Sequence, residues 1–101
     1  MIIGSGFVIE NAKNIAELLK VLANENRLLI VCNLMESSMT VSELHQRMDK
    51  LTQSALSQHL SILKAHKILD SNKSGLSITY SIHDDRIRNI IMSLKESYCE
   101  L

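Results

Sequence analysis

The chain contains no proline, three glycines and two cysteines. Without proline or any low-complexity stretch there is no visible linker, and residues 1–101 read as one continuous domain. Three glycines leave no glycine-rich loop of the kind that cradles phosphates. Cys32 and Cys99 are too few to staple a small secreted scaffold, so they read as thiols rather than structural bridges. Long apolar runs are missing too. The longest is Leu28 to Cys32, against about 20 residues for a bilayer crossing, and no basic region precedes an apolar stretch near Met1. A soluble, cytoplasmic chain with no membrane association is therefore expected. Net charge is also lacking: eleven basic side chains face eleven acidic ones, whereas nucleic-acid binders are often clearly basic. No paired-carboxylate cleft or local cysteine–histidine motif is visible, so an enzyme is not expected and no cofactor is implied.

What is present is hydrophobic content of 46%, enough for one core, arranged with helical period. Val8, Ala12, Ile15, Leu19 and Leu22 recur at the spacing of one helix face, and Ile9, Ala16 and Ala23 widen it. A helix this apolar on two adjoining faces calls for a partner subunit. Asn24 is placed to cap a second helix with Leu28, Val31, Cys32 and Met35 on its apolar face, ending near Ser37-Ser38. Thr40-Val41-Ser42-Glu43 spells a capping box for a short third helix over about 41–48, with Val41, Leu44 and Met48 inward.

Thr52 then caps a fourth helix that runs to about His66. Ala55, Leu56, His59, Leu60, Ile62 and Leu63 share one arc, and Gln53, Ser54, Ser57, Gln58, Ser61, Lys64 and Ala65 the other. The exposed arc holds hydroxyls, amides and one lysine but no carboxylate, which suits a polyanion with readable hydrogen-bonding edges. Beyond it the period changes to two: Leu76, Ile78, Tyr80 and Ile82 alternate with Ser77, Thr79 and Ser81 as a half-buried strand. Ser74-Gly75 signals a turn, which makes Ile68 to Lys73 the other hairpin arm. Asp84 or Asp85 starts a last helix carrying Ile87, Ile90, Ile91, Leu94 and Tyr98. The expected fold is mainly α with a small β-hairpin wing, a winged helix-turn-helix of four helices, two strands and a closing helix.

In a helix-turn-helix the second helix enters the major groove of double-stranded DNA. Gln53 and Gln58 suit adenine edges, Ser54, Ser57 and Ser61 suit bases or phosphates, and Lys64, Lys67 and Lys73 suit phosphates. Pattern alone leaves a second reading open, a helical hairpin in a protein-interaction module without DNA function. The charge distribution favours neither strongly: residues 41–75 carry a local excess of two positive charges.

Leu18 to Ala23, Asn26 to Cys32, Val41-Ser42-Glu43-Leu44 and Gln53 to Leu60 with Leu63 resemble the ArsR family of bacterial winged-helix repressors, over about residues 12–99. One departure is Asn24-Glu25-Asn26, where the family often has a proline-containing cap. The resemblance implies a homodimer, built mainly on the first and last helices, that binds a near-palindromic operator. Metal sensing, common in that family, is the alternative input. However, Ser42-Glu43-Leu44-His45 lacks the Cys-x-Cys pair, and Arg86, Arg88 and Lys95 stand along the last helix in place of zinc ligands. His45, His59, His66 and His83 form no i,i+4 pair, so no metal site is expected, and His59 is expected to be a hydrogen-bonded structural residue. Val31-Cys32-Asn33-Leu34 and Leu94 to Cys99 resemble the thiol- and reactive-sulfur-sensing branch of the family. That likeness implies a disulfide or polysulfide link between Cys32 and Cys99, formed by reactive sulfur or an oxidant. Cys99 is expected to be the more accessible thiol and so to attack first, with Cys32 resolving.

Overall fold

The computed structural model describes residues 10–99. Val8 and Ile9 of the first apolar stripe lie outside them. Helix α1 spans Ala12–Leu22 and α2 Glu25–Leu34; a short strand β1 covers Met39–Thr40; α3 is Val41–Arg47 and α4 Gln53–Ala65. Strands β2 (Leu69–Ser74) and β3 (Ser77–Ile82) form the wing, and α5 (Asp85–Tyr98) closes the described chain. The fold is a winged helix-turn-helix, as the patterning predicts.

Side chains that satisfy free backbone N–H groups set most helix starts. Asn24 Oδ1 accepts from the Arg27 N–H at 3.1 Å. Thr40 Oγ1 accepts from Glu43 at 3.2 Å while Glu43 Oε1 accepts from the Thr40 N–H at 2.8 Å, completing the capping box. Thr52 caps α4 through the Ala55 N–H, and Asp84 caps α5 through Arg86 and Ile87.

The sheet has a strand that periodicity does not reveal. The order is β1-β3-β2, all antiparallel, with Met39 opposite Tyr80 and Leu69 opposite Ile82. The core gathers beneath it, where Ile30, Val31, Leu34, Leu44, Leu56, Leu60, Leu63, Ile68 and Leu69 are essentially inaccessible to solvent.

Two expected faces are corrected. On α2 the core side is Ile30, Val31 and Leu34, while Cys32 is exposed and Leu28 and Met35 are half-buried. On the wing, Leu76 does not continue the buried alternation. Ser74 pairs with Ser77, so Leu76 falls in the turn and is fully exposed. The apolar stripe of α1 is also poorly covered: only Val21 and Leu22 are buried, and Ile15 and Leu19 face water.

Candidate nucleic-acid interface and thiol groove

The α3–turn–α4 unit is rigid for identifiable reasons. Leu44 and Met48 from α3 and Leu56, Leu60 and Leu63 from α4 join the same core. His45 Nε2 donates to the Leu51 carbonyl at 2.8 Å, pinning the turn between the helices. This leaves the opposite face of α4 in solvent. Gln53, Ser54, Ser57, Gln58, Ser61 and Lys64 are all exposed there, and Ser54, Ser57, Gln58 and Ser61 line one shallow groove of ≈ 440 Å³ with Ile62. Lys73 is exposed near the end of β2, beside the wing turn. Among the described residues Lys64, Lys67 and Lys73 enter no ion pair, whereas Arg47, Arg86 and Arg88 are matched to Glu36, Asp84 and Asp85. Lys13, Lys20, Lys50 and Lys95 are likewise outside these pairs, so freedom from pairing does not single out this face. What distinguishes it is that Lys64, Lys67 and Lys73 flank a helix without a carboxylate, where a polyanion would meet them.

The four histidines all have hydrogen-bond partners. His59 is half-buried with Nδ1 3.5 Å from Arg27 Nη1, in keeping with its expected structural role. His66 Nδ1 donates to the Ile62 carbonyl and His83 Nδ1 to Asp70, each at 3.0 Å. Among the described residues no three His, Cys, Asp or Glu side chains converge.

Sequence reasoning did not single out Arg27. Its Nε donates to the Val21 carbonyl at 2.6 Å while its Nη1 approaches His59, so it joins the end of α1 to α4. The only signal was its place at the third position of α2, where a cation has no role toward the helix dipole. Arg47 and Arg88 were missed in the same way. Arg47 reaches Asn33 Oδ1 and Glu36 Oε1, and Arg88 donates to the Met35 carbonyl, all at 3.3 Å. The last turn of α2 has no basic residue of its own, and these two arginines supply its carbonyl end with positive charge from α3 and α5.

Directly beside that end lies the second site. Cys32 from α2 and Cys99, the residue capping α5, line one groove of ≈ 550 Å³ with Leu28, Met35, Ile91, Met92 and Leu94; among the described residues Glu36 and Lys95 are the charged side chains that line it. Both sulfurs are free thiols and both residues are exposed. Partial burial pushes the Cys32 thiol above its usual pKa, the nearby Cys99 adds to the rise, and Lys95 pulls the other way.

This architecture, with an acid-free exposed helix beside a three-stranded sheet whose outer hairpin is the wing, defines a winged helix-turn-helix DNA-binding regulator. The comparisons with known proteins agree. Residues 24–71 match the model of the bacterial regulatory protein, arsR family. The chain is 35% identical over 91 residues to the transcriptional activator HlyU of Vibrio cholerae, covering 90% of this chain and 83% of that protein. A solved structure of HlyU from Vibrio cholerae superposes with a TM-score of 0.84 at 34% identity, covering 92% of this chain and all of that one. The transcriptional repressor BigR from Xylella fastidiosa also gives 0.84, at 29% identity, covering 91% of this chain and 93% of that one. The chain belongs to the ArsR family and is a DNA-binding transcriptional regulator; the relatives it matches are regulators, not enzymes.

Proposed function

We propose that the protein binds a near-palindromic operator as a homodimer in the cytoplasm, and that the thiols of Cys32 and Cys99 set its affinity. The observation that carries the regulatory part is the shared groove: residues from α2 and from the end of α5 present two free thiols to one apolar cleft. In this reading Gln53 and Gln58 take adenine edges, Ser54, Ser57 and Ser61 take bases or phosphates, and Lys64 and Lys73 hold phosphates. Support for the dimer comes from the apolar side chains left in water on α1 and α5, namely Ile15, Leu19, Leu94 and Tyr98.

Reactive sulfur or an oxidant is the effector. To form a disulfide, the oxidant accepts two electrons, both thiol protons leave and one S–S bond forms. A polysulfide is its own oxidant, since Cys99 attacks an internal sulfur and a shorter sulfide leaves. Cys32 then attacks the sulfur chain carried by Cys99 and expels hydrosulfide, so that donor sulfur stays in the bridge. Cys99 attacks first and Cys32 resolves, in line with the raised pKa of Cys32, which lowers its thiolate fraction. The link draws the end of α5 toward α2 beside Asn33, whose side chain is held by Arg47 of α3. Strain at Cys32 thus has a direct route into the helix-turn-helix. A coupling of about 1–3 kcal/mol changes operator affinity roughly 5–150-fold. HlyU is named an activator and BigR a repressor; the same dimer and reading helix serve either outcome.

The test combines intact mass with operator binding after a polysulfide donor, for wild type, Cys32→Ser and Cys99→Ser. The expected result is an intramolecular mass change with altered binding in the wild type alone. If both serine variants respond as the wild type does, the thiol switch is wrong and some other input acts on the regulator. Light scattering that finds a monomer at micromolar concentration would remove the dimer.

A further inference from the structure

The wing ends in a feature that the reading helix does not explain. Because Ser74 pairs with Ser77, the turn consists of Gly75 and Leu76 alone. Gly75 has φ +62°, and among the described residues the one non-glycine with positive φ is Lys67, so Leu76 keeps a negative φ. That combination fits the type II′ hairpin turn, which takes glycine first and matches the twist of the flanking strands. Such a turn is short and stiff, and it holds Leu76 out at the tip. Leu76 is 102% exposed, whereas the other large exposed hydrophobics are all helical and range from 38% to 83%. Those side chains still rest partly on their own elements. Leu76 rests on nothing, so it contributes no packing to the fold.

Its surroundings are equally one-sided. From Ser71 through His83 there is no carboxylate, and Lys73 stands three residues before Leu76, exposed and without an ion pair among the described residues. The wing is also rigidly joined to α4: Leu63, Ile68 and Leu69 are all fully buried, and the Ile68 N–H donates to the Leu63 carbonyl at 3.0 Å. Tip and reading helix therefore approach a duplex as one body.

We propose that Leu76 is an apolar wedge that enters the DNA minor groove beside the segment read by α4, with Lys73 on the adjoining phosphate. Proteins that deform DNA from the minor groove insert leucine, isoleucine, phenylalanine, methionine or proline between base steps and kink the duplex. The task requires an apolar side chain clear of the protein, a stiff support, a nearby cation and no carboxylate; the wing tip has all four. Unstacking is easiest at flexible pyrimidine–purine steps such as TA and CA, so the wedge adds sequence preference at positions the reading helix never touches. The inference rests on α4 as the reading helix and is independent of the thiols.

The test uses the full chain and a duplex recovered by the wild-type protein from a random-sequence pool. Affinity is read by fluorescence anisotropy and bending by energy transfer between the duplex ends, for wild type, Leu76→Ala and Leu76→Met. Leu76→Ala is expected to bind about three- to tenfold more weakly and to bend the duplex less. Leu76→Met, still apolar and long, keeps most of both, and melting temperatures do not move because the side chain packs on nothing. A Leu76→Ala protein that binds and bends like the wild type overturns the wedge, as does weaker binding with an unchanged bend. Ser57→Ala with Gln58→Ala reports on α4 separately. If that pair changes nothing while Leu76→Ala lowers both affinity and bend, α4 loses its reading role and the wedge stands.

Discussion

Replacing Lys67 by glycine should make the protein more stable while weakening its hold on DNA. Lys67 follows the cap of α4 with φ 60°. The Lys67 N–H donates to the Lys64 carbonyl and the Ile68 N–H to the Leu63 carbonyl, each at 3.0 Å. This is the Schellman pattern, in which the left-handed position is normally glycine. For an L-residue with a side chain, that conformation costs roughly 1–2 kcal/mol. Glycine removes the penalty but gives the unfolded chain extra freedom worth about 0.5–1 kcal/mol. The net gain is about 0.5–1 kcal/mol, or about 2–8 °C in melting temperature for a domain of this size.

Denaturant unfolding at one fixed protein concentration measures the gain as a higher midpoint at constant slope. Lys67→Ala is the control, because alanine keeps the backbone penalty and should gain nothing. If glycine is no more stable than alanine, the left-handed turn is not strained and the reasoning fails. Binding separates the two roles of the residue. On the expectation that Lys67 meets a phosphate, it would contribute about 0.9 to the slope of log affinity against log salt, and both variants should flatten that slope alike.

Three further outcomes follow from the geometry. Arg27→Met should destabilise by about 1–3 kcal/mol through loss of the 2.6 Å bond to Val21. A double-mutant cycle with His59→Gln should show coupling below about 0.5 kcal/mol, because 3.5 Å is long for a strong hydrogen bond; a larger coupling would make His59 the principal partner. The Glu43 carboxyl is held below its usual pKa chiefly by the Thr40 backbone N–H, and Asp84 chiefly by its bond with Arg86. Their contribution to stability is complete above about pH 4–5 and is lost as pH falls through the lowered folded values. Glu43→Gln should therefore flatten the acid limb of the unfolding midpoint, and an unchanged limb would rule the cap out as its source. Finally, Cys32 alkylation followed against pH should titrate above the ordinary thiol range, and Cys99→Ser should lower that midpoint only in part, since burial is the larger cause. A return to the ordinary value in Cys99→Ser would reverse that ranking.

What could be read from sequence, and what could not, divides by the range of the interactions. The caps at Asn24, Thr40, Thr52 and Asp84 join a side chain to a backbone group two or three residues away, so residue types at fixed offsets suffice to find them. The arcs of α4 were legible because polar and apolar residues are interleaved along it and fix its phase, apart from Ile62, which was expected on the apolar arc but is exposed and lines the groove of the polar face. On α2 the run from Leu28 to Cys32 is wholly apolar, and period alone cannot orient such a segment. Ile30, not Cys32, turned out to face the core. Strand β1 has two residues, and its partner Tyr80 lies across the intervening helix-turn-helix, so no local pattern announces it.

The alternation of β3 ran one residue too far because the last ladder pair decides where a strand ends. With Ser74 opposite Ser77, Leu76 belongs to the turn. The thiol groove is the extreme case. Nothing local to Cys32 or Cys99 says that they share a surface, and only the family resemblance joined them beforehand. It takes the placement of α5 beside α2, with Arg88 reaching the Met35 carbonyl, to bring Cys32 and the end of α5 to one cleft. A site of this kind is a property of tertiary packing, whereas the face of α4 proposed to meet DNA is a property of one helix, and only the second is written in consecutive residues.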